Sequence, residues 1–180
     1  LNYQMYDIYF KSLNIKFKKI KYLYDKKSIN LFKFDKDQFH KIIPKVDIVF
    51  YTNPNQVSNS DFNLKEFEKI IRKWKNKIFF IDESYYGFGH ISFIRLVKKY
   101  KNIYILRSAT KSLGMAPHRV GFLISHKNNI KKFKVLQTPY PLSLFSGKIL
   151  EFFLNNIKLI RRYQSDVKNG RDFLCDGLRI

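Results

Sequence analysis

The chain has 180 residues, of which 45% are apolar and 17% aromatic, which suffices for one packed domain and excludes a disordered tail. Its 35 Lys and Arg residues exceed its 14 Asp and Glu residues, so the formal net charge is +21. Because the lysines are spread along the whole length, we attribute the charge to compositional bias and do not expect nucleic acid as a partner.

Strands and helices alternate along most of the chain. We predict helices at 2–14, 35–43, 63–76, 91–100 and 126–136, and strands at 15–23, 46–52, 77–82, 102–108 and 119–125. VDIVFYT and KIFFID are compact apolar runs, typical of strands buried on both faces. From residue 142 to about 175 the pattern predicts one long amphipathic helix that leaves the sheet. The sequence therefore predicts a three-layer α/β fold, with a mostly parallel sheet and helices on both faces.

The single cysteine, Cys175, excludes an internal disulfide framework and a thiolate metal cluster, and it is consistent with a cytoplasmic location. No apolar stretch approaches about 20 residues, so no membrane span is predicted. The chain begins LNYQMYDIYF, without an initiator methionine or a signal-peptide pattern. We expect it to be the central part of a longer protein.

Polar groups follow three of the predicted strands. TNPNQ, DESYYGFG and RSATK come where the strands end, and in parallel α/β sheets ligands bind at those ends. Asp82 closes an apolar run, where a carboxylate is costly unless it meets a cation or a strong donor; by itself it could equally be a turn residue. Lys111 comes just after Ser108 and Thr110, hydroxyls suited to an anion, and eight residues before Arg119. By itself Lys111 could be a solvated loop lysine.

Taken together, these stretches resemble the pyridoxal-phosphate aminotransferases of fold type I, class I and II, in particular the branch similar to histidinol-phosphate aminotransferase. TNPNQVSN is similar to the family's Asn-Pro-Asn-Asn-Pro-Thr-Gly box, and IDESYYGF to its Asp-Glu-Ala-Tyr box. RSATKSLGMAPHRVGF resembles its lysine box, with an arginine eight residues after the lysine. NYQMYDIYFKSL resembles the segment whose aromatic residue stacks on the cofactor. The resemblance covers essentially the whole chain.

The resemblance implies catalytic roles for three residues. Lys111 would form a Schiff base with pyridoxal 5'-phosphate and later move the proton between the substrate Cα and the cofactor. Asp82 would face the pyridine nitrogen and keep it protonated. Tyr85 would donate a hydrogen bond to the phenolic oxygen of the ring.

The resemblance also implies a set of cofactor contacts. Tyr3 would lie across the ring face. An amide from Asn55 or Gln56 would contact the phenolic oxygen, although the family box has a different residue at position 56. The phosphate would be held by Ser108, Thr110 and Arg119.

For the whole protein, the resemblance implies transamination between a small-molecule amino donor, an amino acid or a phosphorylated analogue, and a 2-oxo acid. It also implies a homodimer. Residues 1–141 would be part of the cofactor-binding large domain, and 142–180 a connecting helix with the start of a small domain. Two alternatives stay open. One is a fold type I decarboxylase of a phosphorylated amino acid; the other is a nonenzymatic polyanion-binding module or inactive fragment, for which KFKKIKYLYDKK supplies interleaved aromatic and basic residues.

Overall fold

The structure is a computed structural model that describes residues 3–24, 26, 32–55, 61–89 and 91–178. Its helices are α1 (Met5–Ser12), α2 (Lys36–Ile42), α3 (Leu64–Lys73), α4 (Lys127–Lys134), α5 (Leu144–Asn155) and α6 (Ile157–Gly177). Its strands are β1 (Tyr22–Tyr24), β2 (Phe32–Phe34), β3 (Ile48–Thr52), β4 (Ile78–Asp82), β5 (Ile103–Ser108) and β6 (Gly121–Ser125). Short 3₁₀ helices lie at Ile43–Lys45, Ile94–Lys98 and Ala116–His118.

The main sheet has the strand order β3-β4-β5-β6. The first three strands run parallel, whereas β6 pairs antiparallel with β5 at the edge. The short strands β1 and β2 form a separate antiparallel pair. The carboxyl ends of β3, β4 and β5 therefore meet at one edge of the main sheet, as the sequence predicts.

Two adjacent phenylalanines on β4 define the three layers, because successive side chains of a strand point to opposite faces. The Phe79 ring lies 6.0 Å from Phe67 of α3, on what we call the back face. The Phe80 ring lies 6.5 Å from Phe133 of α4, on the front face. Tyr6 of α1 also packs on the front face, with its ring 4.8 Å from that of Phe50. The predicted fold class, a mostly parallel sheet with helices on both faces, is confirmed.

The capping of α3 explains its sharp start. The Asn63 side chain accepts a hydrogen bond from the Glu66 backbone, and the Glu66 carboxylate accepts one from the Asn63 backbone, which satisfies two free amides of the first turn. The helix then buries Phe67, Ile70 and Ile71 against the sheet. Its polar face and apolar stripe follow the predicted periodicity.

Two predicted elements are wrong in extent or type. The strand expected at 15–23 is limited to β1, and just before it the Lys21 N–H donates to the side chain of Gln38 instead of to a neighbouring strand. The helix expected at 91–100 is only the 3₁₀ helix Ile94–Lys98, because side chains accept the amides of Phe93 and Ile94 and so compete with a helical first turn.

The long helix predicted after residue 142 is present, but it is divided into α5 and the 21-residue α6. They are separated at Asn156, whose backbone has φ −116° and ψ 52°. The Asn156 side chain donates to the carbonyl of Phe152 at 2.8 Å, and this local bond favours a break in the helix. Within the described part of the chain, no helix is both long and apolar enough to span a membrane.

Candidate active site

The ends of three strands bring the predicted polar residues together. The Asn53 N–H donates to the Asp82 carbonyl at 2.8 Å, which joins the loop after β3 to the end of β4. The Glu83 N–H donates to the Leu106 carbonyl at 2.7 Å, which extends the pairing of β4 with β5. A ligand at this edge can therefore contact residues from all three strands.

Asp82 is a buried carboxylate whose observed partners are neutral. It is 6% exposed, and its Oδ1 accepts the Ser84 N–H at 2.8 Å. Its Oδ2 accepts a hydrogen bond from the Tyr6 hydroxyl. Among the residues that the structure describes, no Lys or Arg forms an ion pair with Asp82. A buried carboxylate in this setting is a good site for a cationic ligand atom.

Tyr6 is a site residue that the sequence reasoning missed. Burial, and then the neighbouring Asp82 carboxylate, raise the pKa of the Tyr6 hydroxyl well above its usual value, so it stays a proton donor. The Tyr3 ring makes an edge contact with Tyr6 at a centroid distance of 6.0 Å, and Tyr3 is 57% exposed. The predicted stacking residue thus lies one ring away from Asp82.

The loop that carries Lys111 is closed by its own backbone. The Met115 N–H donates to Ala109 O at 3.1 Å and the Gly114 N–H donates to Lys111 O at 3.1 Å, with Gly114 at φ 67°. Below the loop, a small apolar cluster joins it to α5: Ala109, Met115, Val120, Leu113, Ile149, Leu150 and Phe153. The Lys111 side chain is exposed, and its Nζ lies 5.4 Å from the centroid of the Tyr85 ring. The structure therefore brings two of the predicted catalytic residues together.

The hydroxyls of Ser108 and Thr110 lie 2.7 Å apart, and the Thr110 N–H donates to Ser108 Oγ at 3.1 Å. Arg119 lies between the 3₁₀ helix Ala116–His118 and β6, and the adjacent Val120 is joined to this loop because the Ala109 N–H donates to its carbonyl at 3.0 Å. The Arg119 backbone is left-handed, with φ 51°, and its exposed side chain donates to Ala116 O at 3.4 Å. Two hydroxyls and a guanidinium from the segment before β6 are groups of the kind that bind anions.

The loop after β3 is partly described. Asn55 is buried, at 6% exposure, whereas Gln56 lies outside the described residues. The Asn53 side chain donates to the carbonyl of Ile91 at 3.0 Å. Its Oδ1 is buried and has no hydrogen-bond partner among the described residues.

A second group of charged residues lies directly beside these positions and was also missed. Glu83, next to Asp82, is fully buried and pairs with Arg107, next to Ser108, at 2.9 Å. Ser92 and the Phe93 amide complete the hydrogen bonds of the Glu83 carboxylate. The only feature of the sequence that could have indicated this pair is a charged residue at the end of each of two apolar strands.

The fold defines the class: an α/β protein of the fold type I architecture, in which the strand ends carry a buried aspartate, an exposed lysine and two paired hydroxyls. The chain belongs to the family of class I and II aminotransferases, which it matches over residues 1–180. This confirms the resemblance seen in the sequence.

The chain is similar to histidinol-phosphate aminotransferase of Sulfurisphaera tokodaii, at 28% identity over 181 residues, 99% of this chain and 50% of that protein. It is similar in structure to histidinol-phosphate aminotransferase of Clostridium acetobutylicum, with a TM-score of 0.85 at 24% identity, covering 99% of this chain and 53% of that one. Histidinol-phosphate aminotransferase of Sinorhizobium meliloti, solved in complex with pyridoxal-5'-phosphate, gives a TM-score of 0.82 at 14% identity and covers 95% of this chain and 46% of that one. The two structural likenesses show the fold. The chain spans about half the length of these relatives.

Proposed function

We propose that the protein carries pyridoxal 5'-phosphate on Lys111 and transfers an amino group from an amino acid, or a phosphorylated amino donor, to a 2-oxo acid. The observation that carries the proposal is the position of Asp82, buried at the end of β4 beside the loop of Lys111, with neutral donors as its only described partners. The family match and the histidinol-phosphate aminotransferase relatives support it.

The residues present fit this cofactor at its two ends. A protonated pyridine nitrogen supplies the positive charge that the buried Asp82 carboxylate lacks among its described partners. The paired hydroxyls of Ser108 and Thr110, 2.7 Å apart, offer donors for phosphate oxygens, and Arg119 offers a planar fork of N–H groups. When bound, the cofactor supplies an electron-accepting ring that lowers the barrier to breaking a bond at the substrate Cα.

Within this proposal, Lys111 holds and moves a proton at its Nζ. The Lys111 amine would accept the proton from the substrate Cα and return it to a carbon of the cofactor. Hydrolysis would then release the donor as a 2-oxo acid, and the same proton movement in reverse would pass the amino group to the acceptor. Its neighbour Tyr85, whose ring centroid is 5.4 Å away, would direct its hydroxyl to the phenolic oxygen of the ring. Asp82 keeps the proton on the ring nitrogen, where the positive charge stabilises negative charge that develops during the reaction.

The remaining predicted contacts are proposed to orient the ring. Tyr3 would cover one ring face, which its exposure permits. The amide contact to the phenolic oxygen is assigned to Asn55 or Gln56. We further propose that 1–141 and 142–180 belong to different domains, that the protein is a homodimer and that it acts in the cytoplasm.

Borohydride reduction of the full-length protein with bound pyridoxal phosphate, followed by peptide mass mapping, tests the proposal. We expect the label on the peptide that contains Lys111, and no label in Lys111→Ala. Lys127→Ala, at an exposed lysine of α4, is the matched control and should be labelled like the wild type. A label on another lysine, or none in folded protein, contradicts the proposal.

Product analysis separates transamination from the decarboxylase alternative. With an amino donor and a 2-oxo acid, transamination produces a new 2-oxo acid and a new amino acid, with no carbon dioxide. Release of carbon dioxide without amino transfer would support a decarboxylase. Comparison of histidinol phosphate with unphosphorylated amino donors tests the proposed donor class.

A further inference from the structure

A buried ion pair lies on the back face of the sheet, directly behind the proposed cofactor site. Arg107 Nε and Nη2 donate to Glu83 Oε2 at 3.1 and 2.9 Å. The Ser92 hydroxyl contacts both Glu83 oxygens, at 2.8 and 3.0 Å, and the Phe93 N–H donates to Oε1 at 2.6 Å. The Arg107 guanidinium also stacks on Tyr86, 3.5 Å from the ring centroid.

Strand alternation places this pair and the site on opposite faces. Asp82 bonds to Tyr6, which packs on the front face, and Ser108 is in the same alternating row as Tyr104, whose ring stacks on Phe80 at 4.7 Å. Glu83 and Arg107 are the chain neighbours of Asp82 and Ser108, and their side chains point to the back face, where the Phe93 amide meets Glu83. The pair therefore connects the two strand ends without reaching the front face.

A stability role alone is a weak explanation for this pair. Glu83 is fully buried and Arg107 is 18% exposed, and the desolvation of two such charges offsets much of their attraction. What a multiply hydrogen-bonded pair does supply is fixed geometry, because two guanidinium N–H groups donate to Glu83 Oε2 while the Phe93 amide holds Oε1. Here the fixed quantity is the position of the β4 end relative to the β5 end.

We infer that Glu83 and Arg107 are positioning residues, which hold Asp82 and the Ser108–Thr110 hydroxyls at the separation that the ring and the phosphate of one cofactor require. The inference rests on the proposed function. A ligand that contacts two places at once gains affinity only if both contacts form together, so loosening the strand ends removes that gain. Pyridoxal lacks the phosphate, so it would keep the contacts with Asp82 and Lys111 but lose those with the Ser108–Thr110 hydroxyls, and its binding should be less sensitive to the separation of these two groups.

The test compares the affinities of the full-length apoprotein for pyridoxal phosphate and for pyridoxal, measured by absorbance titration. In Glu83→Gln and Arg107→Met we expect pyridoxal phosphate to bind roughly tenfold or more weakly, and pyridoxal to change by less than about threefold. Arg107→Lys keeps the positive charge but loses the planar guanidinium, so its affinity for pyridoxal phosphate should lie between those of the wild type and Arg107→Met. Glu68→Gln, which removes the surface pair with Lys99, is the matched control and should leave both affinities unchanged.

The two titrations distinguish a positioning role of the Glu83–Arg107 pair from a purely structural role. If both affinities fall equally, or neither falls, the pair is only structural and the inference is wrong. If the single variants do not fold, the neutral double variant Glu83→Gln/Arg107→Met and the milder Ser92→Ala replace them. The ratio of the affinities for pyridoxal phosphate and pyridoxal is then compared with that of the wild type. A wild-type ratio in both variants would overturn the inference. If the wild type does not bind pyridoxal phosphate on Lys111, the proposed function itself fails.

Discussion

At the scale of single residues, a substitution at Asp82 should change the catalytic rate much more than the stability of the fold. We expect Asp82→Asn to lower kcat by roughly 10²- to 10³-fold, because an amide cannot stabilise the protonated ring nitrogen. The melting temperature should change little. An amide oxygen still accepts the Ser84 N–H, and the Tyr6 hydroxyl can accept from the new NH₂ group.

A second carboxylate with tyrosine partners provides the control for Asp82. Asp61 accepts hydrogen bonds from Tyr22 at 2.9 Å and from Tyr51 at 3.4 Å, and Tyr51 packs against Phe67 on the back face. Asp61→Asn should leave kcat unchanged. If Asp82→Asn turned over substrate at the wild-type rate, Asp82 would be only a structural turn residue.

The buried tyrosines predict how stability depends on alkaline pH. Burial, followed by the charges of Asp82 and Asp61 respectively, raises the pKa of Tyr6 and of Tyr51 above the ordinary 10.0. The unfolded chain then loses these protons before the native state does, so the stabilisation is complete below about pH 10 and decreases at higher pH. The free energy of unfolding should fall as pH rises above that value.

Urea unfolding between about pH 8 and 11 measures this slope. Tyr51→Phe removes one titrating group and should flatten the decline. Tyr24→Phe changes a tyrosine that is 59% exposed and should have no effect on the slope. An equal decline in wild type and Tyr51→Phe would show that the native pKa of Tyr51 is not raised.

At the scale of elements, the sequence predicts best what is encoded locally. The apolar runs of β3, β4 and β5 and the amphipathic period of α3 lie close to their predicted positions. The errors occur where a side chain, distant in sequence or local, forms a hydrogen bond with a backbone amide or carbonyl. Glu83 accepts the amide of Phe93 ten residues away, and that contact cannot be read from residues 91–100 alone.

The candidate site shows the same division between local and distant contacts. The lysine box is one continuous stretch from the end of β5 to the start of β6, so the spacing of its residues suffices to identify it. Tyr6 and Asp82 are 76 residues apart, and Glu83 and Arg107 are 24 apart. Their partnership depends on the packing of α1 and on the register of β4 with β5, which the sequence pattern does not specify.

The turn after β4 is tightly packed against two other elements at Gly87. Its φ is +103°, and an added Cβ would lie 2.5 Å from Gln164 Nε2 of α6 and 2.8 Å from Ser112 Cβ, next to Lys111. We expect Gly87→Ala to lower the melting temperature and to weaken pyridoxal-phosphate binding, because both the backbone strain and the contact displace the lysine loop. Thermal melts and cofactor titration measure the two effects.

Gly170 in α6 is the matched control, because a Cβ there meets nothing within 4 Å. Gly170→Ala should be neutral, or stabilise the protein by roughly 0.5–1 kcal/mol, through higher helix propensity. Gln164→Ala combined with Gly87→Ala removes the nearer contact but not the positive φ, so we expect only partial recovery. A Gly87→Ala protein with wild-type stability and cofactor affinity would show that the turn adapts without moving the lysine loop.

At the scale of the whole molecule, α5 and α6 present a wide apolar surface. Six of its side chains are 44–79% exposed: Phe152, Leu154, Ile157, Leu159, Phe173 and Leu174. A solvated helix needs only one apolar side, and exposed apolar patches of this kind mark surfaces that other protein segments cover. The chain spans about half the length of its relatives, so the rest of a full-length protein is available to cover this surface.

We therefore expect the 180 residues expressed alone to self-associate, and the full-length protein to form a discrete homodimer. Light scattering over a range of concentrations distinguishes the two, because nonspecific association grows with concentration whereas a dimer keeps one mass. Leu154→Gln/Leu159→Gln in the isolated chain should reduce self-association, since it removes apolar surface without touching the sheet. The exposed lysine variant Lys148→Gln is the control and should have no such effect. A monomeric isolated chain with a cooperative thermal transition would instead show that the surface needs no covering segment, and would favour a self-sufficient module.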